Sequence, residues 1–317
     1  MYIMDRDLKL EDWEFSQRKL LPYEIKLGLS AKSIREWYGY FKGMVYLSFS
    51  GGLDSTVLAH MLDRVLGVKV PKVFVDTGLE FPQIREFVHS FDVEVLYPEC
   101  SFREVILKKG YPLVSKEVAA KVRKLRHGNL SDRYRNYLLH GDERGSLGKL
   151  PECWKFLIPA PFDISEECCA IMKERPLEQY GRRMGRVPFV GITQDEGMMR
   201  QRQYNRTGCN AYHARLPKSQ PLGFWTRQDI LRYIVENHVR YCPVYGDIGC
   251  KDGIYFTTGE QRTGCRFCAM GCHLEKEPNR FQRLHANDPK AYSFIMRPVP
   301  EGGLGFDYVL NYCNFVH

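Results

Sequence analysis

Two groups of residues in this sequence have types and spacings suited to chemistry. The first is Ser50-Gly51-Gly52-Leu53-Asp54-Ser55. Paired glycines let backbone N–H groups approach an anion closely, and the serines add hydroxyl donors. A helix starting here would also turn its unpaired N–H groups and positive dipole end toward a phosphate or sulfate. The run is neither a GxxxxGK[ST] loop nor a GxGxxG loop. A tight strand-to-helix turn capped by Ser50 or Asp54 is the blander use of the same residues. The second group is sulfur. Of eleven cysteines, Cys168 and Cys169 are adjacent, and Cys265, Cys268 and Cys272 fall within eight residues, which makes metal or cluster ligation the leading question. Ser165 is a candidate cap for a helix whose first turn holds Cys168 and Cys169, a place that favours thiolate. Adjacent helical residues diverge by about 100°, so one ion takes both sulfurs only in a special geometry. Cys242, Cys250, Cys265, Cys268 and Cys272 alone could build a zinc knuckle.

The elements that must position these groups alternate between two periods. MVYLSF, residues 44–49, reads as a strand entering the glycine pair, and Val57, Leu58, Met61, Leu62 and Val65 then follow a helical period. VKVPKVFVD (68–76) and VEVLYP (93–98) read as further strands around a helix at 82–90, and VPFVGIT (187–193) as a later one. Strands separated by helices predict a parallel α/β sheet with helices on both faces, its ligands outside the carboxyl ends of the strands. TRQDILRYIVENH (226–238) predicts a helix opened by a Thr226/Asp229 capping box. Near the amino terminus, Ile25, Leu29, Ile34, Trp37 and Phe41 predict one apolar helix face. The expected organisation is a helical cap over 1–42, an α/β domain over 43–240 that carries the glycine loop, and an irregular cysteine-rich lobe over 241–317.

Composition narrows the class. The 317 residues are 44% hydrophobic and 26% charged, which excludes intrinsic disorder and collagen-like repeats. No apolar run approaches the roughly 18 residues of a membrane helix. The amino terminus carries charges where a secretory signal is apolar, so a cytoplasmic protein without structural disulfides is expected. Forty-six Lys and Arg against 38 Asp and Glu leave a formal charge of +8, compatible with an anionic nucleotide or nucleic acid. Lys116, Lys121, Arg123, Lys124, Arg126, Arg133 and Arg135 interleave with Tyr134 and Tyr137, a pattern suited either to a phosphodiester backbone or to a solvated helix face.

SGGxDS after a strand resembles the PP-loop of ATP pyrophosphatases and of the phosphoadenosine phosphosulfate (PAPS) reductase-like family. Phe74-Val75-Asp76-Thr77-Gly78 resembles that family's element after the second strand, and Pro221-Leu222-Gly223-Phe224-Trp225-Thr226 its proline-leucine-tryptophan signature. Gly191 to Arg200 resembles its arginine-bearing segment, and Lys116 a nucleotide-contacting position. The resemblance spans roughly residues 30–270 and implies a PP-loop, Rossmann-like α/β enzyme. It implies an adenine-nucleotide site of Ser50, Gly51, Gly52, Asp54, Ser55, Asp76, Thr77 and Gly78, with Asp54, Lys116 and Arg200 catalytic and Mg²⁺ assisting. Cys168-Cys169-Ala-Ile-Met-Lys173-Glu-Arg-Pro176-Leu177 is similar to the CCxxxKxxPL stretch of iron–sulfur APS reductases. By that likeness Cys168, Cys169, Cys265 and Cys268 would hold a [4Fe-4S] cluster, with zinc the alternative and Cys209 and Cys272 the rival ligands.

The chain departs from the reductases in two places. Their ECGxH tail is replaced by Tyr312-Cys313-Asn314-Phe315-Val316-His317, where apolar periodicity predicts a packed terminal element, and GITQDEGMMR lacks their neighbouring arginines. The resemblance therefore favours ATP-dependent sulfur transfer with pyrophosphate release to a nucleic acid (DNA or tRNA) or nucleotide acceptor, using a separate sulfur donor. Reduction of PAPS or APS to sulfite with a thioredoxin-like reductant is the alternative enzyme reading. A nucleotide- or nucleic-acid-binding module stapled by zinc is the non-enzymatic one.

Overall fold

A computed structural model describes residues 11–145, 147–193 and 204–317. Its strands, in chain order, are β1 (Val45–Ser48), β2 (Lys72–Val75), β3 (Val93–Leu96), β4 (Leu113–Val114), β5 (Val187–Val190), β6 (Asn210–Ala211), β7 (Lys218–Ser219), β8 (Ile248–Lys251), β9 (Ile254–Thr257) and β10 (Ala269–Met270). Its first helices are α1 (Asp12–Lys19), α2 (Tyr23–Tyr40), α3 (Leu53–Leu66), α4 (Pro82–His89), α5 (Phe102–Lys109), α6 (Lys116–His127), α7 (Asp132–His140) and α8 (Arg175–Met184). Further helices cover Arg227–Glu236, Arg280–Asn287, Pro289–Met296 and Phe306–Tyr312. The chain divides into two compact units. One comprises Met1–Asp76, Glu80–Tyr97 and Pro176–Thr263, and the other Thr77–Leu79, Pro98–Arg175 and Gly264–His317.

The first unit contains a six-stranded sheet in the order β3-β2-β1-β5-β7-β6. Its neighbouring strands run parallel except β6 and β7. Successive residues of β1 point to opposite faces, and both faces are covered. Val45 and Leu47 join the main core with Val57, Leu58, Phe189 and Trp225, whereas Tyr46 packs with Val73 and Tyr180 of α8. Burial on both sides explains why β1 reads as a short apolar run without alternation. The buried face of α3 is the one its period predicts.

In α2 the predicted apolar face is only partly right. Ile34 and Trp37 are fully buried, but Ile25 is 51% exposed and Leu29 is also exposed. Lys26 and Ser30 occupy the buried positions beside Tyr23, Ile34 and Trp37 instead. Each has a polar partner, as burial of such groups requires. Lys26 Nζ donates to Asp229 Oδ2 at 2.6 Å, and Ser30 Oγ accepts from Trp225 Nε1 at 2.9 Å while donating to Pro221 O at 2.8 Å. The Pro221–Thr226 signature is thus fastened to α2. Asp229 also closes the predicted capping box, with Thr226 N donating to its Oδ2 at 2.7 Å.

In the second unit, β4 pairs in parallel with β10, and Tyr111 forms a parallel bridge with Ile164. Side chains from α5, α6, Phe281 and the terminal helix share one core. The segment 110–114 therefore holds residues 163–165 by one pairing and 269–270 by another. Gly110, at φ +102, is required here, because a Cβ would lie 2.3–2.5 Å from the backbone of Asp163 and Ile164. Val114 adopts φ 59, a conformation uncommon for a β-branched residue, where its carbonyl accepts from Gly271 N at 2.7 Å.

Candidate functional site

The SGGLDS loop leaves β1 and becomes the amino terminus of α3, so the sequence-predicted strand, turn and helix are present. Its two glycines serve different ends. Gly51 has φ +72, and a Cβ there would meet Val88 Cγ2 at 2.7 Å, so both backbone and space demand glycine. Gly52 has φ −72 and ψ 162, which any residue adopts. The serines are locked together. Ser55 Oγ donates to Gly52 O at 3.0 Å and lies 3.0 Å from Ser50 Oγ, while Gly52 N points at Ser50 Oγ at 3.4 Å. Asp54 Oδ2 accepts from Thr193 Oγ1 at 3.1 Å, just beyond the end of β5. Gly191, in the same segment, lets that strand end press against the first turn of α3, where a Cβ would stand 2.7 Å from Ser55 N and Cα.

Asp76, at the end of β2, is buried, and its Oδ2 accepts from both Nε and Nη2 of Arg85 at 3.0 and 2.7 Å. Thr77 and Gly78 begin the second unit, where Leu79 N donates to Thr77 Oγ1 at 3.2 Å and Gly78 has φ +73. The same turn is tied to sulfur, since Arg266 N, inside Cys265-Arg266-Phe267-Cys268, donates to Leu79 O at 2.9 Å. Lys116 opens α6 behind the Ser115 cap, half-exposed, 3.7 Å from Glu174. Arg200 lies outside the described residues.

Cys168 and Cys169 open a helical segment that passes through one π-turn, Ala170–Glu174, before α8. Ser165 Oγ accepts from Glu167 N at 3.0 Å, a local bond of the kind the predicted cap makes. Burial pushes the Cys168 thiol well up, and Cys169, Cys265 and Cys268 push it further, against Lys173. Cys268 is pushed up to about 12 by burial and by Cys265, against its bond to the Met270 backbone and the charge of Arg280, with Cys169 adding to the rise. Cys169 and Cys265 thus lie in the electrostatic surroundings of both Cys168 and Cys268, with Lys173 near the first and Arg280 near the second. Among the described residues no three His, Cys, Asp or Glu side chains form a group close enough to hold a metal ion. Four cysteine thiols would suit a thiolate-bound metal in type and number, but at the spacing seen they do not form such a group. Of the rivals, Cys209 belongs to the first unit, with Tyr204 Oη 3.1 Å from its sulfur. Cys272 is buried in the second, pushed up to about 11 by burial, with Arg280 and Glu275 as its charged neighbours. Cys313 is 5% exposed at the end of the terminal helix, as its apolar surroundings predict.

Several cations of the basic stretch are taken up by acids of their own unit. Lys121 pairs with Glu117, Arg123 with Glu166 and Arg126 with Asp163. Lys124 stands over the Tyr134 ring, which stacks on Tyr137.

Sequence reasoning missed Thr193, Arg85, Tyr245 and Thr263. The last two come from the irregular stretch after residue 239, where no period marks them. Tyr245 Oη accepts from Leu53 N at 3.4 Å and lies 2.6 Å from Thr263 Oγ1.

A mostly parallel sheet with a glycine-hydroxyl loop between its central strand and a helix defines a PP-loop nucleotide-binding α/β protein. The sequence pattern of the phosphoadenosine phosphosulfate reductase domain matches residues 44–127 and 147–275, and the chain belongs to that family. It is 39% identical over 74 residues to the glutamine-hydrolyzing GMP synthase of Chlamydia caviae, a match covering 22% of this chain and 14% of that protein. An uncharacterized protein of Methanocaldococcus jannaschii is 24% identical over 257 residues, covering 79% of this chain and 42% of its own. The chain thus spans about a seventh of the GMP synthase and under half of the archaeal protein. The GMP synthase matches support the PP-loop superfamily. Among solved structures, phosphoadenylyl-sulfate (PAPS) reductase from Candida auris, a phosphate complex, aligns over 76% of this chain and 95% of its own, at 17% identity and a TM-score of 0.38. No helix among the described residues is long and apolar enough to cross a membrane.

Proposed function

We propose that this protein is an ATP pyrophosphatase that activates a nucleic acid or nucleotide acceptor for sulfur transfer. The observation that carries this reading is the SGGLDS loop, where glycines, two serine hydroxyls and a helix amino terminus meet at the end of a central parallel strand. An acceptor oxygen attacks the α-phosphate of ATP, the α–β anhydride bond breaks, and pyrophosphate leaves with its charge met by the loop's N–H and hydroxyl donors. A sulfur nucleophile from a separate donor then displaces AMP from the acceptor. Lys116 and Arg200 are the cations assigned to the phosphates. Asp54, held by Thr193, is the carboxylate suited to Mg²⁺ arriving with the nucleotide.

Cys168, Cys169, Cys265 and Cys268 would hold the [4Fe-4S] cluster, or zinc in its place. A cluster there would supply redox or sulfur-holding chemistry. Lys173 favours the thiolate of Cys168, and Arg280 that of Cys268. Cys313 is buried in an apolar core, which favours this reading over one in which Cys313 moves to attack a sulfonucleotide. For the acceptor, residues 116–155 contain ten Lys and Arg against five Asp and Glu, a surplus suited to a polyanion.

The test is direct. Incubating the protein with ATP, Mg²⁺, a sulfide source and candidate DNA, tRNA or nucleotide acceptors is expected to release pyrophosphate in proportion to sulfur incorporated. Sulfite release from PAPS or APS with thioredoxin, lost in Cys313→Ser, would replace this reading with reduction.

A further inference from the structure

Gly52 poses a question that its backbone does not answer, since its φ of −72 would suit any residue. Its surroundings do answer it. A Cβ placed on Gly52 would lie 3.4 Å from Ser50 Oγ, 3.5 Å from Tyr245 Oη and 3.6 Å from Thr263 Oγ1. The space that the missing side chain leaves is therefore bordered by three hydroxyl oxygens, one from the loop and two from a region about 200 residues later. These distances are ordinary contacts for a methyl group, so alanine would fit there without strain. Glycine at this point keeps open a small polar recess beside the first N–H groups of α3.

The hydrogen bonds set the polarity of that recess. Leu53 N is one of the amides that a helix start leaves unpaired. Here it donates to Tyr245 Oη at 3.4 Å, a long bond, and Thr263 Oγ1 lies 2.6 Å from the same phenol oxygen. When Thr263 gives its proton to that oxygen, the Tyr245 hydroxyl hydrogen is left to point elsewhere. Burial, with Asp54 adding to the effect, pushes the Tyr245 phenol up to about 12, so it keeps this hydrogen across the neutral range.

We infer that Tyr245 and Thr263 complete the anion site of the loop: the Tyr245 hydroxyl, oriented by Thr263, donates a hydrogen bond to a phosphate oxygen seated over Gly52. The inference rests on the reading of the loop as a nucleotide site and adds to it two residues that no loop motif contains. A phosphoryl oxygen is acceptor-only, so it suits a recess of neutral donors, and an exposed anion such as a diphosphate gains from each added donor.

Equilibrium binding of Mg-ATP and of inorganic pyrophosphate, by titration calorimetry on the full chain, tests it. Tyr245→Phe is expected to weaken pyrophosphate binding about tenfold or more, the usual effect of losing a hydrogen bond to a charged group. Thr263→Val should weaken it less, and Gly52→Ala should fill the recess and weaken it at least as much as Tyr245→Phe while leaving the melting temperature near that of the unaltered protein. A Tyr245→Phe variant that melts lower yet binds pyrophosphate as the unaltered protein does would reduce Tyr245 to a cap for Leu53 N–H and overturn the inference. Unaltered protein that binds neither ATP nor pyrophosphate would instead overturn the nucleotide reading itself, and the inference with it.

Discussion

The phosphate loop and the Cys168-Cys169 pair both lie at helix starts, yet they reach opposite electrostatic conditions. Around Gly52 the polar atoms are neutral hydroxyls and backbone groups that donate to and accept from one another at 2.6–3.4 Å, so the loop is ordered by the chain's own bonds. Around Cys168 and Cys268 the neighbouring thiols are prospective anions, and Cys265 and Cys169 raise the cost of ionising both. Donors assembled together support one another, whereas thiolates assembled together need positive charge. Lys173 and Arg280 supply some of it. A bound metal would supply far more, and loading would release protons from the sulfurs. The lesson is that a folded chain can preorganise a site for an anion more completely than a site for a cation.

The largest test of this contrast is removal of sulfur. Cys168→Ser combined with Cys268→Ser is expected to abolish bound iron or zinc by elemental analysis while ATP affinity stays close to that of the unaltered protein. Retained metal would shift the ligand set elsewhere and break the comparison. Next is Asp54→Ala, expected to slow pyrophosphate release about 10²-fold, the effect of removing one charge-stabilising group from an active site. Metal content should be unchanged, and a drop in both would show that the two sites do not act separately. Gly191→Ala comes third. Its Cβ would press on the backbone of Ser55, so a destabilisation of about 1–3 kcal/mol in urea unfolding is expected, with nucleotide binding weakened in proportion. The smallest effect belongs to Cys313→Ser. As a buried thiol in an apolar core it should cost about 1 kcal/mol of stability and leave the rate of pyrophosphate release nearly unchanged. A large loss of rate with normal stability would return this cysteine to the chemistry.

Local signals in the sequence carried the loop well. A short apolar run, a glycine pair and a helical period follow one another within about twenty residues, and each follows from short-range sterics. The spacing of the CC and CxxC pairs was equally plain. What relates the two pairs was not, because residues 110–114 do it through backbone pairings to 163–165 and 269–270 that leave no mark on side-chain pattern. The face of α2 was misjudged for a related reason. Lys26 and Ser30 look like solvent residues until Asp229, Pro221 and Trp225 are known to meet them. Tyr245 and Thr263 were hidden in the same way, since a hydroxyl becomes part of a phosphate loop only through a contact made far along the chain.

The position of β1 in the sheet also sets a timetable. Its β2 edge is satisfied by residues 72–73, but its other edge waits for β5, with Val45 paired to Val187, 142 residues later. At roughly 5–20 residues per second, synthesis of that stretch takes about 7–30 s. For that interval the nascent chain shows an apolar strand edge with no partner, a template for pairing with other chains. The nucleotide loop thus leaves the ribosome well before the strand that bears it gains its second partner.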